Sequence, residues 1–294
     1  MNELLSPKQV AQAIGVSESS LKRWCDQGLI PTVRTAGGHR RLALGDVLRF
    51  VRDGRHGVVT PEALGLPAVS EQSERSLERG RDLLVQSLLT GDEAVCRRLV
   101  FDLYLAKHSM CTLCDDLIAA AFHEIGQRWS CQRAHVYQER RACEIMLRIL
   151  HYLRDTQKGI DESLIAVGAT PTGDQYTLPN SMVELVLREA GWNACSLGCS
   201  IPISSLMTAV IEQKPRLFWL SASYVENADQ FVTEFNELYR VASAQGTAVV
   251  VGGCALNENI RPRLSYSAYC DTMRHLDGFA RTLRATSGAA RTSN

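Results

Sequence analysis

Four cysteines are the first candidates for chemistry: Cys111-x-x-Cys114, with Cys131 and Cys143 further on. Thiolates at close spacing hold zinc or an iron–sulfur cluster. Here the second pair is not closely spaced, and the first sits inside a helical apolar pattern, where small buried thiols are common. The reading taken is core cysteine and no metal site. The histidines His108, His123, His135, His151 and His275 stand singly, without metal-ligand spacing. No Ser-His-Asp set and no paired carboxylates stand out, and neither G-x-G-x-x-G nor a P-loop is present, which disfavours NAD and ATP. We therefore expect no enzyme. A different chemistry is written in the first forty-odd residues, where Lys22, Arg23, Arg34, His39, Arg40 and Arg41 are interleaved with Ser17, Ser19, Ser20, Thr35 and Gly38. Cations among small polar residues suit a phosphate backbone and the base edges behind it.

The elements that would position these residues are short. Ser6 can cap a helix with Pro7 at its first position, Val10, Ala11 and Ile14 give it an inner face, and Gly15 ends it. Ser17 then caps a second helix in which Leu21, Trp24 and Cys25 face inward and Ser19, Ser20, Lys22 and Arg23 face outward. Two such helices around a Gly-containing turn form a helix-turn-helix whose second helix enters the major groove. Thr32–Arg34 and Arg40–Leu42 can pair around Ala36-Gly37-Gly38 as a wing that carries Arg34, His39, Arg40 and Arg41 to phosphates. A third helix starts at Asp46.

Charge follows the same division. Residues 1–57 hold nine Lys/Arg against five Asp/Glu, an excess of four on a chain whose net charge is zero. A basic head on an acidic body points to a polyanion-binding module joined to something else. At 45% hydrophobic and 22% charged, the composition is that of a globular protein. No apolar run approaches the ~18 residues of a membrane span, and MNELLSPKQVAQAIG lacks the pattern of a secretory signal. The expectation is a cytoplasmic chain with no membrane contact and with reduced thiols.

After the head (residues 1–56), HGVVTPEALGLPAVSEQS reads as a linker (57–73) interrupted by Pro61 and Pro67. From 74 to 157 apolar residues recur at helical steps (Leu77, Leu84, Leu88; Val95, Leu99, Leu103; Leu113, Leu117, Phe122, Ile125; Val136, Ile145, Ile149, Leu153). Breaks at Thr90-Gly91, His108-Ser109 and Ser130–Arg133 divide them into a four-helix bundle. From 158 to 285 the period changes: apolar runs at 163–169, 216–222 and 247–253, with a weaker one at Asn193–Leu197, alternate with helical stretches at 177–190, 202–213 and 228–244. That pattern predicts an α/β doubly wound parallel sheet of the Rossmann or flavodoxin-like kind. Its ligand loops would be Thr170–Tyr176, Ser221–Tyr224 and Gly252–Ala255, at the carboxyl ends of the strands. The tail from 286 to 294 should be disordered.

With these motifs in place, the head resembles MerR-type and excisionase-like DNA-binding domains, in which a GGHRR wing (Gly37–Arg41) follows a helix ending near a Trp (Trp24) and a Gly-Leu turn (Gly28-Leu29). Bundle and sheet together resemble the cobalamin-binding module of methionine synthase and of the light-responsive MerR-type carotenoid repressors. That resemblance implies a Trp followed after nine residues by Glu-His, an Asp/Glu-x-His-x-x-Gly loop whose His ligates cobalt, a strand-end Ser, and a Gly-Gly. This chain offers Trp129 and Glu139 with Arg140 for the first His. It then offers Asp174 with Tyr176 for the cobalt ligand and Pro179 for the Gly, and finally Ser221, Gly252 and Gly253. Arginine cannot ligate a metal, and a phenol with a pKa near ~10 is a poor cobalt ligand. Three readings of the pocket stay open: no metal-ligated cofactor, cobalamin held without His, or haem or another tetrapyrrole on a tyrosine.

The function expected is a DNA-binding transcriptional regulator, a repressor by resemblance. It would grip a double-stranded operator as a homo-oligomer, with a sensory or assembly module that has lost His-ligated cobalamin. The alternatives are a corrinoid- or haem-binding sensor or carrier, and a protein-interaction adaptor.

Overall fold

The computed structural model describes residues 4–54, 58–64, 77–157 and 161–291. The chain divides into two compact units, Met1–Gln157 and Lys158–Asn294.

The first unit opens with β1 (Leu4–Leu5), α1 (Pro7–Ala13) and α2 (Glu18–Asp26), followed by β2 (Val33–Arg34), β3 (Arg40–Ala43) and α3 (Leu44–Asp53). The starts of α1 and α2 follow their capping chemistry. The Ser6 hydroxyl accepts the Gln9 N–H while the Gln9 side chain accepts the Ser6 N–H, a reciprocal box with Pro7 inside it. Ser17 accepts the Ser20 N–H at 3.1 Å. Gly15 makes the turn between them at φ +67°, where a side chain would be strained. The strands form a small antiparallel sheet, β1-β3-β2, with Val33 opposite Arg41 and Arg34 opposite Arg40. Val10, Leu21, Ile30, Leu42, Val47 and Leu48 make the head's core.

Part of the expected linker belongs to this head. The Val59 and Thr60 N–H groups both donate to the Ala13 carbonyl, and a 3-10 turn at Pro61–Leu64 buries Leu64. The rest of the expected linker lies outside the described residues.

The bundle consists of α4 (Leu77–Thr90), α5 (Glu93–Leu105), a third rod and α8 (Val136–Thr156). The third rod runs from α6 (Met110–Thr112) through a π-helical stretch at Leu113–Ala119 into α7 (Ala120–Ser130). Its core holds Leu84, Leu88, Leu113, Leu117, Ile125, Ile145, Ile149 and Leu153 as expected. On α5 the inward stripe is displaced: Cys96, Val100, Phe101 and Leu103 are buried, while Val95 and Leu99 are only half-buried. Val136, placed in the core from its spacing, is exposed at the first position of α8.

The second unit is a five-stranded parallel sheet in the order β5-β4-β6-β7-β8. Its strands are β4 (Asp161–Ala169), β5 (Trp192–Ser196), β6 (Leu217–Ser221), β7 (Ala248–Gly252) and β8 (Ala268–Tyr269), and its helices are α9 (Thr177–Glu189), α10 (Ile203–Gln213), α11 (Ala228–Ala244) and α12 (Met273–Arg291). The β-strand period of two divides the side chains between faces. Val167, Ala169, Phe218, Leu220, Val249 and Val251 pack with residues of α10 and α11 in one buried cluster. Trp219 points the other way, toward α9. The order reverses between β4 and β6, so the switch point lies at their carboxyl ends. Two elements were not anticipated, β8 and α12. The helix continues to Arg291, into a stretch expected to be disordered, and residues 292–294 lie outside the described residues.

Candidate functional site

On the head, α2 and the wing present the candidate DNA residues. Ser19, Lys22 and Arg23 on α2 and Arg34, Thr35, Gly38 and His39 on the wing are all exposed. The wing's tip is a tight hairpin: the Thr35 N–H donates to the His39 carbonyl at 2.9 Å and the Gly38 N–H to the Thr35 carbonyl at 2.8 Å. Gly38 sits at φ +76°, which explains the glycine. Ser17 is committed to capping, and its hydroxyl lies 2.9 Å from those of Ser19 and Ser20.

The arginines differ in availability. Arg23 and Arg34 make no ion pair with any described residue, whereas Lys22 sits 2.8 Å from Glu18. Arg40 reaches back across the head, 2.5 Å from Asp26 at the end of α2, and donates to the Lys22 carbonyl at 3.4 Å. It braces the wing against α2. Arg41 donates to the Arg40 carbonyl and is half-buried. Trp24 is half-buried, its ring 5.3 Å from that of Phe50 on α3, so it packs as core. Asp26 was missed in the sequence because nothing local marks it as Arg40's partner.

The candidate pocket residues fall in both units. In the first, Trp129 lies 53% exposed in the last turn of α7. Glu139 accepts the Cys143 thiol at 3.3 Å and lies 3.5 Å from the Arg140 guanidinium. Burial and that carboxylate push the Cys143 thiol up to about 12. Cys111 and Cys114 are buried and Cys131 is exposed. Among the described residues no three His, Cys, Asp or Glu side chains are grouped to hold a metal ion.

In the second unit Asp174, Tyr176, Ser221, Gly252 and Gly253 come together at the ends of β4, β6 and β7. Asp174 is fully buried. One carboxylate oxygen accepts the Tyr176 N–H at 2.9 Å, and the other accepts those of Ser223 at 2.6 Å and Tyr224 at 3.2 Å. It ties the loop after β4 to the loop after β6 across the switch point. Tyr176 is 40% exposed at the start of α9. Ser221 is buried, paired in register with Gly252. Neither glycine has room for a side chain: a Cβ on Gly252 would stand 2.7 Å from the Cys270 carbonyl oxygen, and one on Gly253 2.2 Å from that of Ala222.

Behind the switch point Trp219 lies between the sheet and α9. Trp219, 1% exposed, lies against Gly168, where a Cβ would come within 2.2 Å of its ring, and its indole N–H donates to Asn180 on α9 at 2.5 Å. Asn180 also donates to Ser196 and the Gly198 carbonyl. An open cleft of about 900 Å³ lies elsewhere, between α10 and α11, walled by Pro171, Ile203, Met207, Phe231 and Glu234. None of the five candidate residues lines it.

Residues 4–55 match a family model described as a helix-turn-helix domain, and residues 81–154 match one described as a B12 binding domain. No curated protein matches the chain. Among solved structures, the monomethylamine corrinoid protein of Methanosarcina barkeri aligns at 13% identity with a TM-score of 0.60, covering 71% of this chain and 100% of that one. A cobalamin-binding protein of Desulfitobacterium hafniense DCB-2 aligns at 19% identity (TM-score 0.37, 71% and 98% covered). The methanol:cobalamin methyltransferase complex MtaBC of Methanosarcina barkeri aligns at 15% (TM-score 0.35, 79% and 89%). The first of these shows a shared fold; the other two align too loosely to add to it. The chain thus joins an N-terminal helix-turn-helix domain to a helix bundle matching the B12-binding family and a Rossmann-like sheet of corrinoid-protein fold.

Proposed function

We propose that this chain is a transcriptional regulator of the MerR type, not an enzyme, that binds double-stranded DNA in the cytoplasm as a homo-oligomer. The observation that carries the reading is the pair of exposed guanidiniums, Arg23 on α2 and Arg34 on the wing, which make no ion pair among the described residues and are held by two capped helices and a tight hairpin. A single winged head offers little surface for tight specific binding, which favours paired half-sites. No described helix is long and apolar enough to cross a bilayer. Repression is the direction the resemblance favours. The test is selection from random DNA by the purified full chain, followed by anisotropy titrations at several salt concentrations. An enriched motif, with a salt slope that falls by about 1 in Arg34→Ala, supports the reading. No enrichment overturns it.

The body has the corrinoid-protein fold without the donor set for a His-ligated corrinoid. Arg140 and Tyr176 stand where the resemblance implies the two imidazoles, and Asp174 is committed to three backbone N–H groups. These residues do not fit the group, and the body serves assembly or protein contacts instead.

A further inference from the structure

Gly45, the second residue of α3, has no local reason to be glycine. Its φ is not in the left-handed region, and alanine there would favour the helix by about 1 kcal/mol. Its reason lies in the bundle. A Cβ on Gly45 would stand 2.8 Å from the Asp155 carbonyl oxygen and 3.1 Å from the Thr156 Cα, in the last turn of α8. Backbone meets backbone there, and neither atom can swing aside as a side-chain tip would.

Two turns further along α3 the contact is polar. The Arg52 guanidinium lies 4.0 Å from the centroid of the Tyr104 ring on α5, and it donates to the His108 carbonyl at 3.4 Å. Lys107 donates to the Gly54 carbonyl at 3.4 Å. Thr156 joins the two bundle helices beneath, its hydroxyl 3.4 Å from that of Tyr104. A helix held at one point can swivel, but one held at points about 10 Å apart cannot. The outer face of α2 (Ser19, Lys22 and Arg23) and the wing tip stay exposed. They are joined to α3 through Trp24 and Phe50 and through the common core of Leu21 and Leu48.

We propose that Gly45 is a positioning residue for operator recognition. By letting α3 sit on the backbone of α8, it makes the bundle fix the head's direction, so the bundle and not the intervening chain sets the spacing between half-sites. The proposal rests on the DNA-binding reading above.

The test uses the full chain and a DNA selected by it, with the two half-sites moved apart by five base pairs, about half a helical turn. The parent should lose at least about tenfold in affinity on that DNA. Gly45→Ala and Arg52→Ala should lose less than about threefold between the same two DNAs, with affinity for a single half-site unchanged as evidence of a folded head. A chain lengthened by eight Gly/Ser residues after Pro67 should keep the parent's penalty. The proposal is overturned if the parent shows no spacing penalty, if Gly45→Ala keeps it in full, or if the lengthened chain loses it. Failure of the DNA reading is separable. If no DNA is bound, hydrogen exchange in the last turn of α8 should still be faster in Gly45→Ala than in the parent, and equal rates overturn the dock itself.

Discussion

Replacing Asp174 with alanine tests how the sheet unit holds its switch point. The carboxylate is fully buried and accepts three backbone N–H groups, from Tyr176 at 2.9 Å, Ser223 at 2.6 Å and Tyr224 at 3.2 Å. A hydrogen bond to a charged group contributes about 1.5–3 kcal/mol, and a buried donor left without an acceptor costs about 1–3 kcal/mol. The three bonds are part-buried, and Tyr176 and Tyr224 are exposed, so water that enters the vacated space recovers part of this. The net loss should be about 3–5 kcal/mol. At roughly 2–4 °C per kcal/mol for a domain of this size, the melting transition of the sheet unit should fall by about 10 °C. Asp174→Asn keeps one oxygen but turns an amide N–H₂ toward donors, so it should recover less than half of the loss. The assay is thermal unfolding of the full chain followed by circular dichroism, with urea unfolding for the free energy. A loss below about 1 kcal/mol for Asp174→Ala would refute the latch and reopen the carboxylate for ligand chemistry.

Other consequences can be read from single positions. Arg40→Ala should reduce the salt slope of DNA binding by less than Arg34→Ala does, because Asp26 already offsets the Arg40 charge at 2.5 Å; equal slopes would contradict the brace. Gly168→Ala places a methyl within 2.2 Å of the Trp219 ring and should cost at least about 2 kcal/mol in urea unfolding, whereas a neutral result would mean that the α9 layer has slack. Burial pushes the thiols of Cys96 and Cys143 up to about 12 and that of Cys270 up to about 11. A raised pKa leaves little thiolate at pH 8, about one part in ten thousand at the upper values. Native alkylation read by mass spectrometry should therefore mark the exposed Cys131, Cys195 and Cys254 first and spare those three, and uniform labelling would contradict the core assignment.

The parts of this fold that were legible in the sequence are those written in local chemistry. Ser6-Pro7 and Ser17 announce the starts of α1 and α2 because capping is a contact over three residues. The strands β4, β6 and β7 are apolar runs bounded by turns because a parallel sheet is buried on both faces. Legibility fails where the determinant is distant. On α5 nearly every residue from Leu99 to Leu105 is apolar, so spacing alone cannot choose the buried stripe, and the neighbouring helices choose Val100 over Leu99. The strand β8 is two residues long and exists through pairing of Ala268 and Tyr269 with Val250 and Val251. At the candidate sites, the resemblance pointed to Asp174 and Gly253, but only the structure shows the first bound to the β6 loop and the second pressed on the Ala222 carbonyl. Arg40's partner Asp26 and Gly45's neighbour Asp155 are likewise far along the chain.

The most direct test of the central claim puts DNA and corrinoid in one experiment. Purified full-length chain is incubated with adenosylcobalamin in the dark, freed of unbound ligand, scanned in the visible range, and titrated with its selected DNA before and after illumination. The account predicts no retained corrinoid spectrum and the same DNA affinity in all arms, equal to that of untreated protein. A stoichiometric bound corrinoid, with DNA binding lost on illumination, would contradict it.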